Sequence, residues 1–161
     1  MGLVGVGSPA VAAPNQTLPR IRSSSASLAA LIARVTEHSA TFRALIDAIN
    51  ASDGIVYVEA GECGHDVTAC LVGVTSAGAY RMLWIKVDKD KRECDLIASI
   101  GHELQHAVEI LSDSDVQCGA GMFSYYVRMG RRGSGPLVFE TTAATNAGIA
   151  VRSEIRTCRS R

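Results

Sequence analysis

The sequence predicts an α+β domain: a long N-terminal helix, a small three-stranded sheet, then a helical part. Three observations predict it. Apolar residues recur at helical spacing before residue 50, β-branched and aromatic runs take over between about 55 and 87, and helical spacing returns after 93. The composition suits one globular domain with a sizeable core, since the 161 residues are 47% hydrophobic and 20% charged with zero formal net charge.

The chain opens on a stretch, Met1 to Pro19, that is largely small and uncharged. Ala10-Val11-Ala12 fits the small-x-small pattern of a signal-peptidase site, although no basic segment precedes it and Gly5, Gly7 and Pro9 break the apolar part. Residues 1–20 therefore read as a flexible N-terminus or export-signal remnant, and 21–161 as the folded domain.

Ser23-Ser24-Ser25 offers capping chemistry before Leu28, Leu31, Ile32, Val35, Phe42, Leu45, Ile46 and Ile49, which predicts one long or slightly broken helix over about 24–50. Asn50 to Gly54 ends it. Residues 55–58, 70–74 and 80–87 then read as strands, the last two joined as a hairpin at Ser76-Ala77-Gly78. Both faces of the third run are largely apolar, so cover on both sides is expected. After the charged turn Asp88 to Arg92 a strong helix is predicted from Glu93 to Leu111. A weaker one follows over about 115–129, then a loop from Gly130 to Pro136 and a last helix from about Val138 to Cys158.

Five cysteines make an odd set. Cys63 and Cys70 flank a Gly-containing turn and suit a short-loop disulfide, while Cys94 and Cys158 form a second candidate pair and leave Cys118 free. Bridged cysteines fit an exported protein, periplasmic or secreted, better than a cytosolic one. No basic stripe argues for a nucleic-acid partner, and no apolar run approaches the roughly 20 residues that cross a bilayer.

The chemistry concentrates in His102-Glu103-Leu104-Gln105-His106. On a helical wheel Ile97, Ile100, Leu104, Ala107, Val108 and Leu111 share one sector, with His102 and His106 almost opposite and Glu103 on the flank. The i, i+4 spacing stacks the imidazoles about 5–6 Å apart at Cβ, so that both can reach one zinc ion. Glu103 sits where it can activate a metal-bound water without ligating the ion.

A catalytic zinc needs a third protein ligand. Glu109 projects from the same face but lies on a further turn of the same helix. Asp113 and Asp115 sit in a turn with capping duties. Glu140 is the favoured candidate, because a helix packed antiparallel to the metal helix would bring its early residues near His106. The same packing would place Cys94 beside Cys158.

His102-Glu103-x-x-His106 followed by Glu140 on a later helix resembles the gluzincin clan of zinc metallopeptidases, and the size and element order are similar to its minimal, minigluzincin-like members. The resemblance covers about residues 55–157 and implies a zincin-like fold. It also implies zinc-dependent hydrolysis of peptide or protein substrates, with Glu103 as proton carrier and His102, His106 and Glu140 as ligands. A substrate would add as a strand to a sheet edge, for which the strand at about 79–87 is expected. Many members carry an aspartate four residues after the glutamate ligand; here that position is Ala144, so the histidines must be oriented from elsewhere, Asn146 being one option. Tyr125, Tyr126, Arg128 and His65 are the candidates for stabilising an oxyanion. The alternative to a peptidase is a non-catalytic zinc-binding scaffold or regulatory module that retains the motif.

Overall fold

The computed structural model describes residues 19–64, 66–129, 131–132, 139–155 and 158. The export-signal reading of the N-terminus, the role offered to His65 and most of the loop after Met129 lie outside the described residues. The described chain is a mixed α/β arrangement of five helices and a four-stranded sheet, with a separate two-stranded ribbon.

The first helical region departs from expectation. It is two helices, α1 (Ala26–His38) and α2 (Ala40–Asn50), each capped by a serine. Ser25 accepts the Leu28 N–H, and Ser39 adopts extended backbone and accepts the Phe42 N–H at 3.0 Å. The apolar positions run on in helical register across the break, from Leu28, Leu31 and Val35 to Phe42, Leu45 and Ile49, which is why one helix is expected there. What stops α1 is remote in sequence. The carboxylate of Glu154 accepts hydrogen bonds from the Ser39 hydroxyl, the Thr41 N–H and the Thr41 hydroxyl, and so supplies negative charge at the N-terminus of α2.

The sheet has four strands rather than three, in the order β1 (Ile21–Arg22), β2 (Gly54–Ala60), β4 (Tyr80–Val87), β3 (Ala69–Ala77). β1, β2 and β4 run parallel, and β3 is antiparallel to β4 across a two-residue turn in which Gly78 takes φ +60°. The extra strand is two residues long, too short to show a period of its own. One face of the sheet is core: Val56, Val58, Leu83, Ile85 and Val87 are sealed from solvent beneath the helices. The other face is half open and carries a stacked pair, Tyr57 and Trp84, so the cover expected on both sides of β4 is present on one only. β4 is also an inner strand. The edge next to the long helix is β3, which corrects the expectation that 79–87 forms it; strand order follows from the parallel pairing of β2 with β4, which no local pattern encodes.

Helix α3 (Glu93–Ser112) runs under this sheet and is buried along most of its length, with Leu96, Ile97, Ile100, Leu104, Ala107 and Ile110 in the core. Glu93 and Asp95 place negative charge in its first turn. Its last turn has no basic residue of its own, and Arg81 of β4 supplies one. That guanidinium is buried, donates to the carbonyls of Ile110, Leu111, Asp113 and Val116, and pairs with Asp53 at 2.7 Å. It satisfies four carbonyl oxygens at and just beyond the C-terminus of α3 while tying the helix to the sheet.

α4 (Gly119–Met129) follows, then the ribbon of β5 (Arg131–Arg132) and β6 (Phe139–Glu140), then α5 (Thr142–Glu154), whose N-cap Thr141 accepts the Ala144 N–H. α5 lies antiparallel against α3: Arg152 pairs with Asp95 and Gly148 abuts Ala98 and His102. Cys94–Cys158 and Cys63–Cys70 are both disulfides, and Cys118 is free and exposed, as the spacing predicts. Among the described residues no helix is long and apolar enough to cross a membrane.

Replacing Arg81 with leucine is expected to cost about 3 kcal/mol or more in urea unfolding, because buried carbonyls and Asp53 lose their partner. Arg81→Lys should restore less than half of that, one ammonium being unable to reach the whole set. The Arg81 hydrogen bonds hold the Asp53 carboxyl below its usual range. The pair's contribution is therefore present at neutral pH and lost as acid takes the solution below the ordinary aspartate pKa of about 3.9. An unchanged midpoint for Arg81→Leu would show that water replaces the guanidinium without cost.

Candidate metal centre

The site is built where α3, α5 and β6 meet. His102 and His106 stand one turn apart on α3, their ring centroids 4.8 Å apart. Glu140 closes the ribbon at the end of β6, one residue before the cap of α5, so the last helix starts later than the sequence suggests and Glu140 precedes it. Its carboxylate lies 3.2 Å from Nε2 of His102. One ligand atom from each of His102, His106 and Glu140 falls within 4.8 Å of the others. A tetrahedral ion with bonds near 2.0–2.1 Å holds its donors about 3.4 Å apart, so a small closure of side chains completes the set. Two imidazoles and one carboxylate are a donor set that fits a divalent transition-metal ion, and the geometry brings together the three residues that the sequence picks out as ligands.

The histidine face is less open than the wheel suggests. His106 is 4% exposed and Glu103 8%. Tyr126 of α4 packs on His106, and α5 lies against the His102 side at a contact made possible by small residues. A Cβ on Gly101 would lie 2.8 Å from Val151, and one on Gly148 would lie 3.0 Å from the Ala98 carbonyl and 3.3 Å from His102 Cβ. A cleft of about 550 Å³ gives access from the side, lined among others by Val67, His102, Glu103, Glu140 and Ile149. Of two hollows against α1, one of about 600 Å³ has no histidine and one of about 640 Å³ has His38 alone, and among the described residues only His102, His106 and Glu140 bring ligand atoms together.

Glu103 does not join the ligand cluster. One oxygen accepts the Leu71 N–H of edge strand β3 at 2.7 Å, and the other stands 4.0 Å from Nε2 of His102. Leu71 borders a bulge in the β3–β4 pairing, between Leu71 and Gly73. Burial raises the Glu103 carboxyl above the usual range, opposed by the charges of His106 and His102 and by the Leu71 N–H. Glu140 is lowered by its hydrogen bond from His102 against the effect of burial. Burial pulls His102 down, but the Glu140 hydrogen bond and the charges of Glu103, Glu140 and Glu109 outweigh it and raise the imidazole.

The remaining candidates fall elsewhere. Asn146 is exposed. Ala144 is fully buried on the α5 face that meets α3. Tyr126 packs its ring edge-on to His106 and donates its hydroxyl to the His106 carbonyl at 3.2 Å, while burial drives its phenol pKa up. Arg128 lies 3.7 Å from Asp113, and burial likewise raises the Tyr125 phenol, whose ring packs edge-on against Tyr126. These three positions are occupied with packing and local pairing. Sequence reasoning sets Glu109 aside as a ligand and gives it no other role, and the structure supplies one. It is no ligand; it lies 2.9 Å from Nδ1 of His106 and accepts the Thr141 hydroxyl at 2.6 Å. Its signal was its place one turn after His106 on the same face.

If the α3–α5 spacing sets the site, Gly148→Ala should lower stability by about 1–3 kcal/mol in urea unfolding by forcing the helices apart. A variant as stable as wild type would show that the helices have room to adjust.

Comparison with family models, with curated proteins and with solved structures gives no match to this chain, so its chemistry is read from the site itself.

Proposed function

We propose that the chain is a gluzincin-type zinc metallopeptidase, holding one zinc ion through His102, His106 and Glu140 and hydrolysing peptide bonds. The observation that carries this reading is the convergence of two imidazoles of α3 with the carboxylate of Glu140, beside a second carboxylate, Glu103, that stays outside the cluster. A zinc ion bound there supplies a Lewis acid that polarises a carbonyl and brings the pKa of a water to roughly 7. Glu103 is suited to the proton work. Its Oε2 is anchored on the Leu71 N–H, which leaves Oε1 turned toward the His102 side to take a proton from water and pass it to the leaving amine.

The substrate reading follows from β3. It is the sheet edge beside the site, and an extended peptide would find main-chain partners along it irrespective of sequence. Thr75 already bridges to Cys118, so the stretch of β3 before it is the part available next to Glu103. The order of sheet, His-bearing helix and later glutamate supports a zincin-like fold. Two disulfides support export to an oxidising compartment.

One observation favours a second reading, a zinc-binding scaffold without turnover. Tyr126, the phenol packed against His106, already donates its hydroxyl to the His106 carbonyl and so presents no free donor for an oxyanion.

Elemental analysis should find one zinc per chain, reduced in His106→Ala and Glu140→Ala. Chelation should lower Tm, since an ion bound to the native state alone stabilises it. Glu103→Gln should keep its zinc and lose cleavage of an unstructured peptide library by about a hundredfold or more. Full zinc without cleavage in the unmodified protein would establish the scaffold reading, and full zinc in Glu140→Ala would remove Glu140 from the ligand set.

A further inference from the structure

We infer that Glu109 is the positioning residue of this centre: it orients His106 from behind and fixes the segment that delivers Glu140. The inference rests on the metal reading above. Glu109 Oε2 is 2.9 Å from Nδ1 of His106, and Oε1 accepts the Thr141 hydroxyl at 2.6 Å. The side chain is 12% exposed, so neither bond is easily exchanged for water.

An ionised carboxylate only accepts hydrogen bonds. Facing Nδ1, it assigns the proton to that nitrogen and leaves the lone pair on Nε2, the state in which an imidazole ligates.

The second bond reaches across the fold. Thr141 follows Glu140 directly, and its hydroxyl oxygen also caps α5 by accepting the Ala144 N–H at 3.0 Å. One carboxylate thus sets both the ring orientation of His106 and the place of the residue next to Glu140. Among the described residues His102 has no such support, its ion-pair partners being Glu140 and Glu103, the groups of the site itself. Position 144, where the gluzincin pattern would place an orienting aspartate, is an alanine sealed in the helix contact. Glu109 does that work from α3 instead, and acts on His106.

The test combines zinc competition titration with the ring-nitrogen NMR signals of His102 and His106 in metal-free protein, on wild type, Glu109→Ala, Glu109→Gln, Thr141→Val and Thr141→Ser. Glu109→Ala should weaken zinc about 10–100-fold and convert His106 from its Nδ1–H form to a mixture, with His102 unchanged. Thr141→Val should weaken zinc while leaving the His106 tautomer intact, and Thr141→Ser should restore affinity. If Glu109→Ala fails to fold, the similarly shaped Glu109→Gln, which lacks the charge, is read in its place. Wild-type affinity together with an unchanged His106 tautomer in the folded Glu109 variant would overturn the inference and leave the metal centre standing. Absence of zinc binding by the wild type would overturn the metal reading, and this one with it.

Discussion

The close passage of α5 over α3 is the constraint on which the rest of the molecule depends. It is possible because Gly101 and Gly148 lack side chains where the helices meet, and because Ala144 and Ala147 keep the α5 face shallow. Most of what defines the candidate centre is strung along this antiparallel seam, Glu103 being held from β3 instead. From one end to the other it carries Cys94–Cys158, Asp95–Arg152, His102 against Gly148 and Glu140, and Glu109 with Thr141. Glu154, at the end of α5, extends the connection to the N-terminus of α2. Small residues thus supply proximity, and polar pairs along the seam set register.

Packing this close to a core would be costly for isolated charges, and the structure resolves the cost by pairing them. Three carboxylates surround the two imidazoles, and each has a different partner: Glu103 the edge-strand N–H, Glu140 the His102 ring, Glu109 the His106 ring and a hydroxyl. Among the described residues no buried side-chain polar atom lacks a hydrogen bond. The same logic governs the far end of α3, where the buried Arg81 answers the carbonyls that the helix leaves open. The helix that carries the histidines is therefore held at both ends and along one side.

Local pattern revealed α3, the hairpin and both disulfide pairs, because each depends on spacing within one or two elements. It also selected His102, His106 and Glu140, since ligand chemistry restricts residue type and a two-helix seam restricts place. What it missed depends on remote partners. The break at Ser39 is hidden by apolar positions that stay in phase on both sides, and the group that holds it, Glu154, lies 115 residues away. The inner position of β4 follows from pairing with β2, which no strand encodes by itself. The burial of the histidine face could not be read from a wheel, which shows what a helix offers and not what covers it. Helix geometry sets Glu109 aside as a ligand, yet its role as a support depends on the placement of Thr141, which no spacing encodes.

The Cys94–Cys158 bond closes a ring of chain with a sequence separation of 64 residues, and every member of the candidate centre lies inside that ring. Closing a loop of this length removes about 4 kcal/mol of freedom from the unfolded chain in the loop-entropy description. A newly made chain in a reducing environment holds α5 on α3 by packing and ion pairs alone, and the seam gains its covalent tether only on oxidation. Oxidation of this pair therefore favours the folded seam by restricting the unfolded chain, without adding a contact between the two helices.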